Sequence, residues 1–140
     1  MDNQLVYYPI FEPHKNMVAF STTKKTFQHP APRFTGDTPE IYTENREKLA
    51  GVLGIRSSQL VFPRQTHTNC VVEISETPET EIKDTDALVT NQPGICLCVQ
   101  TADCVPILLF DPVEKVISAV HAGWRGTVNK ITEVAVQKMI

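Results

Sequence analysis

The segment from residue 104 to residue 121 constrains this chain more than any other. "VPILLF", Val105 to Phe110, is the longest unbroken apolar run, and "VISAVH", Val116 to His121, is a second strand-like run. Between them "DPVEK" reads as a turn, so the two runs form a hairpin-like pair. Cys104 precedes the first run and His121 closes the second, seventeen positions later. If the runs pair after a tight reversal, both side chains reach the same end of a sheet. Gly123 and Gly126 follow, and they let the backbone turn sharply and approach something closely. His67, in "RQTHTN", is a third donor upstream. Two imidazoles and a thiolate match the three protein ligands of a catalytic zinc site that keeps one position open. His67 joins the other two only if its strand lies beside theirs, which spacing does not show.

The rest of the chain supplies elements for such a sheet. Val18 to Thr22 is the best strand candidate in the Pro- and aromatic-rich first thirty-nine residues. Thr38 as N-cap, Pro39 at the first helical position, and Ile41, Leu49, Val52 and Leu53 with Gly54 behind them predict a helix with a glycine stop. "QLVFPRQTHTNCVVEI" predicts two strands and "DALVT" a third, separated by the polar loop "SETPETEIKDT". "ICLCVQ" alternates, with Ile95, Leu97 and Val99 on one face and Cys96, Cys98 and Gln100 on the other. The last segment predicts one helix with Thr127 as N-cap and a stripe of Val128, Ile131, Val134, Ala135 and Met139. No repeat, low-complexity stretch or domain boundary is visible, so the expectation is a single domain over 1–140.

Composition narrows the function classes. A net charge of −3 with scattered lysines and arginines argues against a nucleic-acid partner. No apolar run approaches a membrane span, and "MDNQLVYYPIFEP" has neither the basic nor the apolar part of a signal peptide. Four cysteines within one quarter of the chain do not read as a secreted disulfide framework. Cys70, Cys96 and Cys98 are therefore expected to be reduced, buried thiols of a cytoplasmic protein.

Each candidate also has a plain structural reading. A lone buried cysteine is more often packing than chemistry, and a lone histidine is more often a satisfied core or surface residue. Cys104 and His121 gain weight together, because they converge where glycines permit close approach. His14 and His29 read as surface residues, and Trp124 as core packing. Arg46, Arg64 and Arg125 read as solvated side chains, or as anion contacts through the planar guanidinium fork. Asp86 and Asp103 read as turn or supporting carboxylates. Four histidines, none adjacent to another, cannot build the trinuclear copper centre of a laccase. Two His and one Cys suit a blue-copper site, which transfers electrons without itself oxidising phenols. The His-x-Glu and Pro-Cys-x-x-Cys motifs of zinc deaminases are absent. A Cys–His hydrolase, with Cys104 as nucleophile and His121 as base, stays open.

The pattern "DALVT", "TADCVPILLFD" and "AVHAGWRGT", with "FSTT", "GDTPE…NREKL" and "RQTH" upstream in order, resembles the YfiH/LACC1 family of laccase-domain proteins. Its members have been called polyphenol oxidases, peptidoglycan editing factors and zinc-dependent purine nucleoside phosphorylases. The resemblance implies an α+β fold of stacked mixed β-sheets flanked by helices. It implies zinc held by His67, Cys104 and His121, with copper as the lesser alternative. It implies phosphorolysis of adenosine, inosine, guanosine or methylthioadenosine, and deamination of adenosine, with Cys104 and His121 as catalytic residues. Arg46, in the matching "NR..L", is implied as a substrate or phosphate contact, and Arg125 is assigned the same role.

The chain departs from the family at Lys24 and Lys25, where an arginine and a glycine pair are usual, and at Thr68, usually glycine. Family members also continue past the helix that ends at Ile140. The expectation is a domain truncated at its C-terminus, whose last helix offers an apolar face to a second copy or a partner. Two further readings stand beside the phosphorylase: a Cys104-dependent hydrolase editing peptidoglycan precursors, and a non-catalytic metal-binding domain.

Overall fold

The computed structural model describes residues 5–28 and 33–140, so His29 lies outside the described residues. The chain forms two compact units, Met1–Ser57 and Ser58–Ile140.

In the first unit, β1 (Val6–Tyr7) pairs antiparallel with β2 (Phe20–Ser21), inside the segment where a strand is predicted. Helix α1 (Pro39–Leu53) starts at the predicted proline with Thr38 in the N-cap position, although no side-chain bond caps it. It ends at Gly54, whose φ of 69° is the left-handed stop that glycine adopts without strain. Leu49 and Ala50 are buried, whereas Ile41, predicted on the apolar face, is exposed. His14 is half-buried rather than fully at the surface.

The second unit carries two sheets. Strand β3 (Leu60–Val61) pairs in parallel with β6 (Cys96–Leu97). A four-stranded mixed sheet runs β4 (Val71–Glu73), β5 (Ala87–Thr90), β8 (Val116–Ala122), β7 (Val105–Asp111). Strand β4 is parallel to β5; the β5–β8 and β8–β7 pairs are antiparallel. The predicted hairpin is β7–β8, with Val105 opposite Ala122 and Asp111 opposite Val116. Its reversal is fixed by Asp111, whose Oδ1 accepts from the N–H groups of Val113 and Glu114. Pro106, which cannot donate to a ladder, is tolerated because β7 is an edge strand.

Strand alternation sorts the core onto both sheet faces. Val71, Ala87, Val89, Val116, Val120 and Ala122 pack against Ile131, Ala135 and Met139. Those three lie on α3 (Ile131–Met139), so this helix covers one face. On the other face Leu88 packs with Val61 and Ile74, and Ile95 and Leu97 complete the layer. The result is helix, sheet, second sheet: the stacked α+β arrangement that the family resemblance implies.

The last segment is two helices, not one. Helix α2 (Trp124–Val128) is followed by a break at Lys130, which has φ 60°, and then by α3. Thr127 lies inside α2, and Gly123 takes the N-cap position. Trp124 is 72% exposed, against the expectation of core packing. The buried position of α2 is Gly126, where an added Cβ would sit 3.0 Å from the Thr68 carbonyl oxygen and 3.3 Å from Ile131. The inward face of α2 therefore has no room for a side chain, and the indole points outward with the Arg125 guanidinium 5.2 Å from its centroid. Cys70 is exposed, and Cys96 and Cys98 are only half-buried, because β4 and β6 are too short to enclose them. Among the described residues no helix is long and apolar enough to cross a membrane.

Candidate metal centre

His67, Cys104 and His121 converge in the second unit, with one donor atom from each lying within 4.8 Å of the others. His121 stands opposite Pro106 near the end of β8, and Cys104 immediately precedes β7. The hairpin register therefore brings the cysteine and the second histidine to one end of the sheet. His67 comes from the loop between β3 and β4, with its ring 5.0 Å from that of His121 and edge-on at 75°.

Asp86 organises both histidines. It directly precedes β5, is fully buried, and its carbonyl oxygen accepts the His121 N–H at 2.7 Å. Its carboxylate Oδ1 contacts His121 Nδ1 at 2.7 Å and accepts the His67 N–H at 3.0 Å. Its Oδ2 accepts the N–H groups of Thr66 and Thr68 and the Thr68 hydroxyl. Burial is the largest single influence on this carboxyl and pushes its pKa up. The hydrogen bonds from Thr68, His121 and Thr66 together outweigh burial and hold it below the usual carboxylate range. An ionised Asp86 keeps the His121 proton on Nδ1, which leaves Nε2 as the donor to a metal.

The His67 loop is shaped by the same carboxylate. His67 has φ 63°, a left-handed conformation unusual for a side-chain-bearing residue. Three consecutive N–H groups around it converge on Asp86, which offsets that strain. The loop is held further back by Arg64, whose N–H donates to the Ile82 oxygen and whose oxygen accepts from Thr85. Gln65 ties the loop to the segment leading to Cys104: its Nε2 donates to the Gln100 oxygen and its Oε1 accepts the Gln100 N–H, both at 2.7 Å. Neither the left-handed loop nor the Gln65 tie left a signal in the local sequence.

The donor set fits a zinc-type ion. Zinc bonds of about 2.0–2.3 Å span donor–donor gaps of roughly 3.3–3.8 Å, so small side-chain rotations close the set. Gly123 supports the fit: a Cβ there would meet His67 Cδ2 at 3.1 Å, Cys104 Sγ at 3.3 Å and His121 Cε1 at 3.9 Å. The close approach expected of this glycine is thus made to the three donor side chains themselves.

The remaining candidates are placed as follows. Arg125 is exposed on α2, two residues past Gly123. Arg46 belongs to the first unit, where its Nε donates to the Phe34 oxygen and its guanidinium lies 4.5 Å above the Tyr42 ring. Arg64 is exposed and faces Glu81 at 3.7 Å. Asp103 is exposed.

Comparison with known proteins agrees with this architecture. Residues 29–140 match the family model described as multi-copper polyphenol oxidoreductase laccase. A purine nucleoside phosphorylase of Corynebacterium glutamicum is 43% identical over 106 residues, which are 74% of this chain and 43% of that protein. A protein from an unknown prokaryotic organism, named adenosine deaminase RL5, is 40% identical over 114 residues, 76% of this chain and 44% of its own. The chain thus spans less than half the length of these two curated relatives. The crystal structure of the Bacillus licheniformis hypothetical protein YfiH superposes with a TM-score of 0.84 at 25% identity, covering 96% of this chain and 55% of that one. With the family model spanning most of its length and the stacked-sheet fold shared with YfiH, the chain belongs to the multi-copper polyphenol oxidoreductase laccase family, the YfiH-type family its motifs resemble.

Proposed function

We propose that the chain carries the zinc centre of a purine nucleoside phosphorylase that also deaminates adenosine. The observation that carries this reading is the convergence of His67, Cys104 and His121 over Gly123. The names of relatives at 40–43% identity support the substrate class. When bound, zinc would supply Lewis-acid polarisation of a substrate oxygen or an acidified water. The chain's own residues do the rest. Asp86 fixes the tautomer and direction of His121, the left-handed loop presents His67, and Cys104 offers its sulfur. Arg125 is assigned as a phosphate contact, which would let phosphate displace the base at the ribose.

The test is incubation of metal-analysed protein with inosine and phosphate, with and without chelator. Hypoxanthine should form only with metal, and Cys104→Ala should lose both the bound zinc and turnover. Full activity in that variant would sink the proposal.

A second reading rests on the Asp86–His121 bond at 2.7 Å beside the Cys104 sulfur, an orienter, base and nucleophile in series. It describes a hydrolase acting on peptidoglycan precursors, and its activity would survive chelation.

A further inference from the structure

Cys96 and Cys98 lie outside the three-ligand group formed by His67, Cys104 and His121. Their sulfurs are nevertheless 3.8 Å apart, and both residues are half-buried. Leu97 between them packs into the core layer of Val61, Ile74 and Leu88, so strand alternation turns both thiols to the opposite side. We propose that this Cys-x-Cys pair is a thiol–disulfide modification site for low-molecular-weight disulfides of the glutathione class, and that closing it loosens the ties between the His67 and Cys104 segments.

The pair is suited to the exchange. A hydrogen bond from Cys98 is the main influence on the Cys96 thiol and lowers its pKa, against the opposing effect of burial. Cys96 is therefore the attacking thiolate. Its sulfur bonds to one sulfur of the small disulfide, and the other leaves as a thiolate that takes up the proton Cys96 lost. The Cys98 thiolate then attacks the Cys96 sulfur of the mixed disulfide. The Cys96–Cys98 bond forms, and the second small thiol leaves with the Cys98 proton. Two protein thiols are oxidised and one small disulfide is reduced.

The effect on the fold follows from chain length. Two residues of extended strand span roughly 6.7 Å. Disulfide-linked Cα atoms usually lie about 5.5–6 Å apart, so ring closure shortens this segment by about 1 Å. The shortened segment pairs Cys96 with Leu60 and Leu97 with Val61, and the Cys98 N–H donates to the Val61 oxygen. Two residues further on, Gln100 carries both bonds to Gln65. Contraction at Leu97 therefore pulls on the seam that joins the two ligand segments.

The test treats the reduced chain with glutathione disulfide and reads it by tandem mass spectrometry and amide hydrogen exchange. In the wild-type chain Cys96 and Cys98 should jointly lose two hydrogens, retain no glutathione, and recover with dithiothreitol. Cys98→Ser should hold one glutathione on Cys96. Exchange at the Cys98 and Gln100 amides of the oxidised chain should be about 10-fold faster or more. Glutathione retained on the wild-type pair overturns the proposal, as does modification of Cys70 alone. So does a second zinc per chain that is lost in Cys96→Ser while the pair ignores the disulfide. Unchanged exchange in a fully oxidised chain overturns the loosening. The wild-type measurements do not depend on either variant folding, and none of these readouts requires nucleoside turnover.

Discussion

His121 and His67 reach one point from two unlike regions of the second unit. His121 sits on a regular strand, 4% exposed, with a cross-strand neighbour on each side. Its ring is aimed by a single bond to Asp86. His67 sits in an exposed loop with a left-handed backbone, and Asp86 grips its peptide N–H rather than its ring. One imidazole is thus positioned by its side chain within the sheet, the other by its backbone around a buried anion. The contrast teaches that the carboxylate, not the strand or the loop, is the common reference for the site.

The largest effect should come from removing that reference. Asp86→Ala leaves the Thr66, His67 and Thr68 N–H groups and His121 Nδ1 without their acceptor. A loss of about 3 kcal/mol in denaturant-measured stability is expected, together with loss of metal binding. If only metal binding suffers, the two histidines are held independently and the comparison fails. Next comes His121→Ala, which removes one charge-assisted bond from a buried carboxylate and should cost about 2 kcal/mol.

Acid should act through the same group. The folded-state pKa of Asp86 is lowered, so its contribution is fully present above the unfolded value of about 3.9 and is lost as pH falls through the folded value. The melting temperature should drop below about pH 4, and less steeply in Asp86→Asn. The smallest effect is expected for His67→Gly. Glycine relieves the left-handed strain but gains freedom in the unfolded chain, so stability should stay within about 0.5 kcal/mol while metal affinity disappears. A large destabilisation there would mean that the His67 ring, and not only its backbone, holds the loop.

The same contrast explains what was legible in the sequence. Cys104 and His121 could be paired because strand register and a turn bounded by Asp111 and Lys115 leave little choice of partner. The close approach of Gly123 was likewise readable from its place beside His121. His67 was a candidate by residue type, but its place beside the other two came only by resemblance, since its position depends on bonds to a carboxylate nineteen residues away. Trp124 was misread because its size suggests a core, whereas packing of α2 against Thr68 admits only glycine. The break at Lys130 escaped because no glycine marks that left-handed turn. The half-exposure of Cys96 and Cys98 escaped because periodicity over six residues does not reveal that β6 spans only two.

The Gln65 carboxamide has a consequence for the order of folding events. Donating and accepting once each, it imitates a strand one residue long and closes a span of thirty-five residues. A contact of that range carries a loop-closure cost that two hydrogen bonds at a half-buried residue do not offset alone. It persists because β3 and β6 are already paired a few residues away. The hairpin, built from neighbours in sequence, has no such prerequisite. Contact range therefore favours an order in which the hairpin carrying Cys104 and His121 forms before the Gln65–Gln100 closure beside His67.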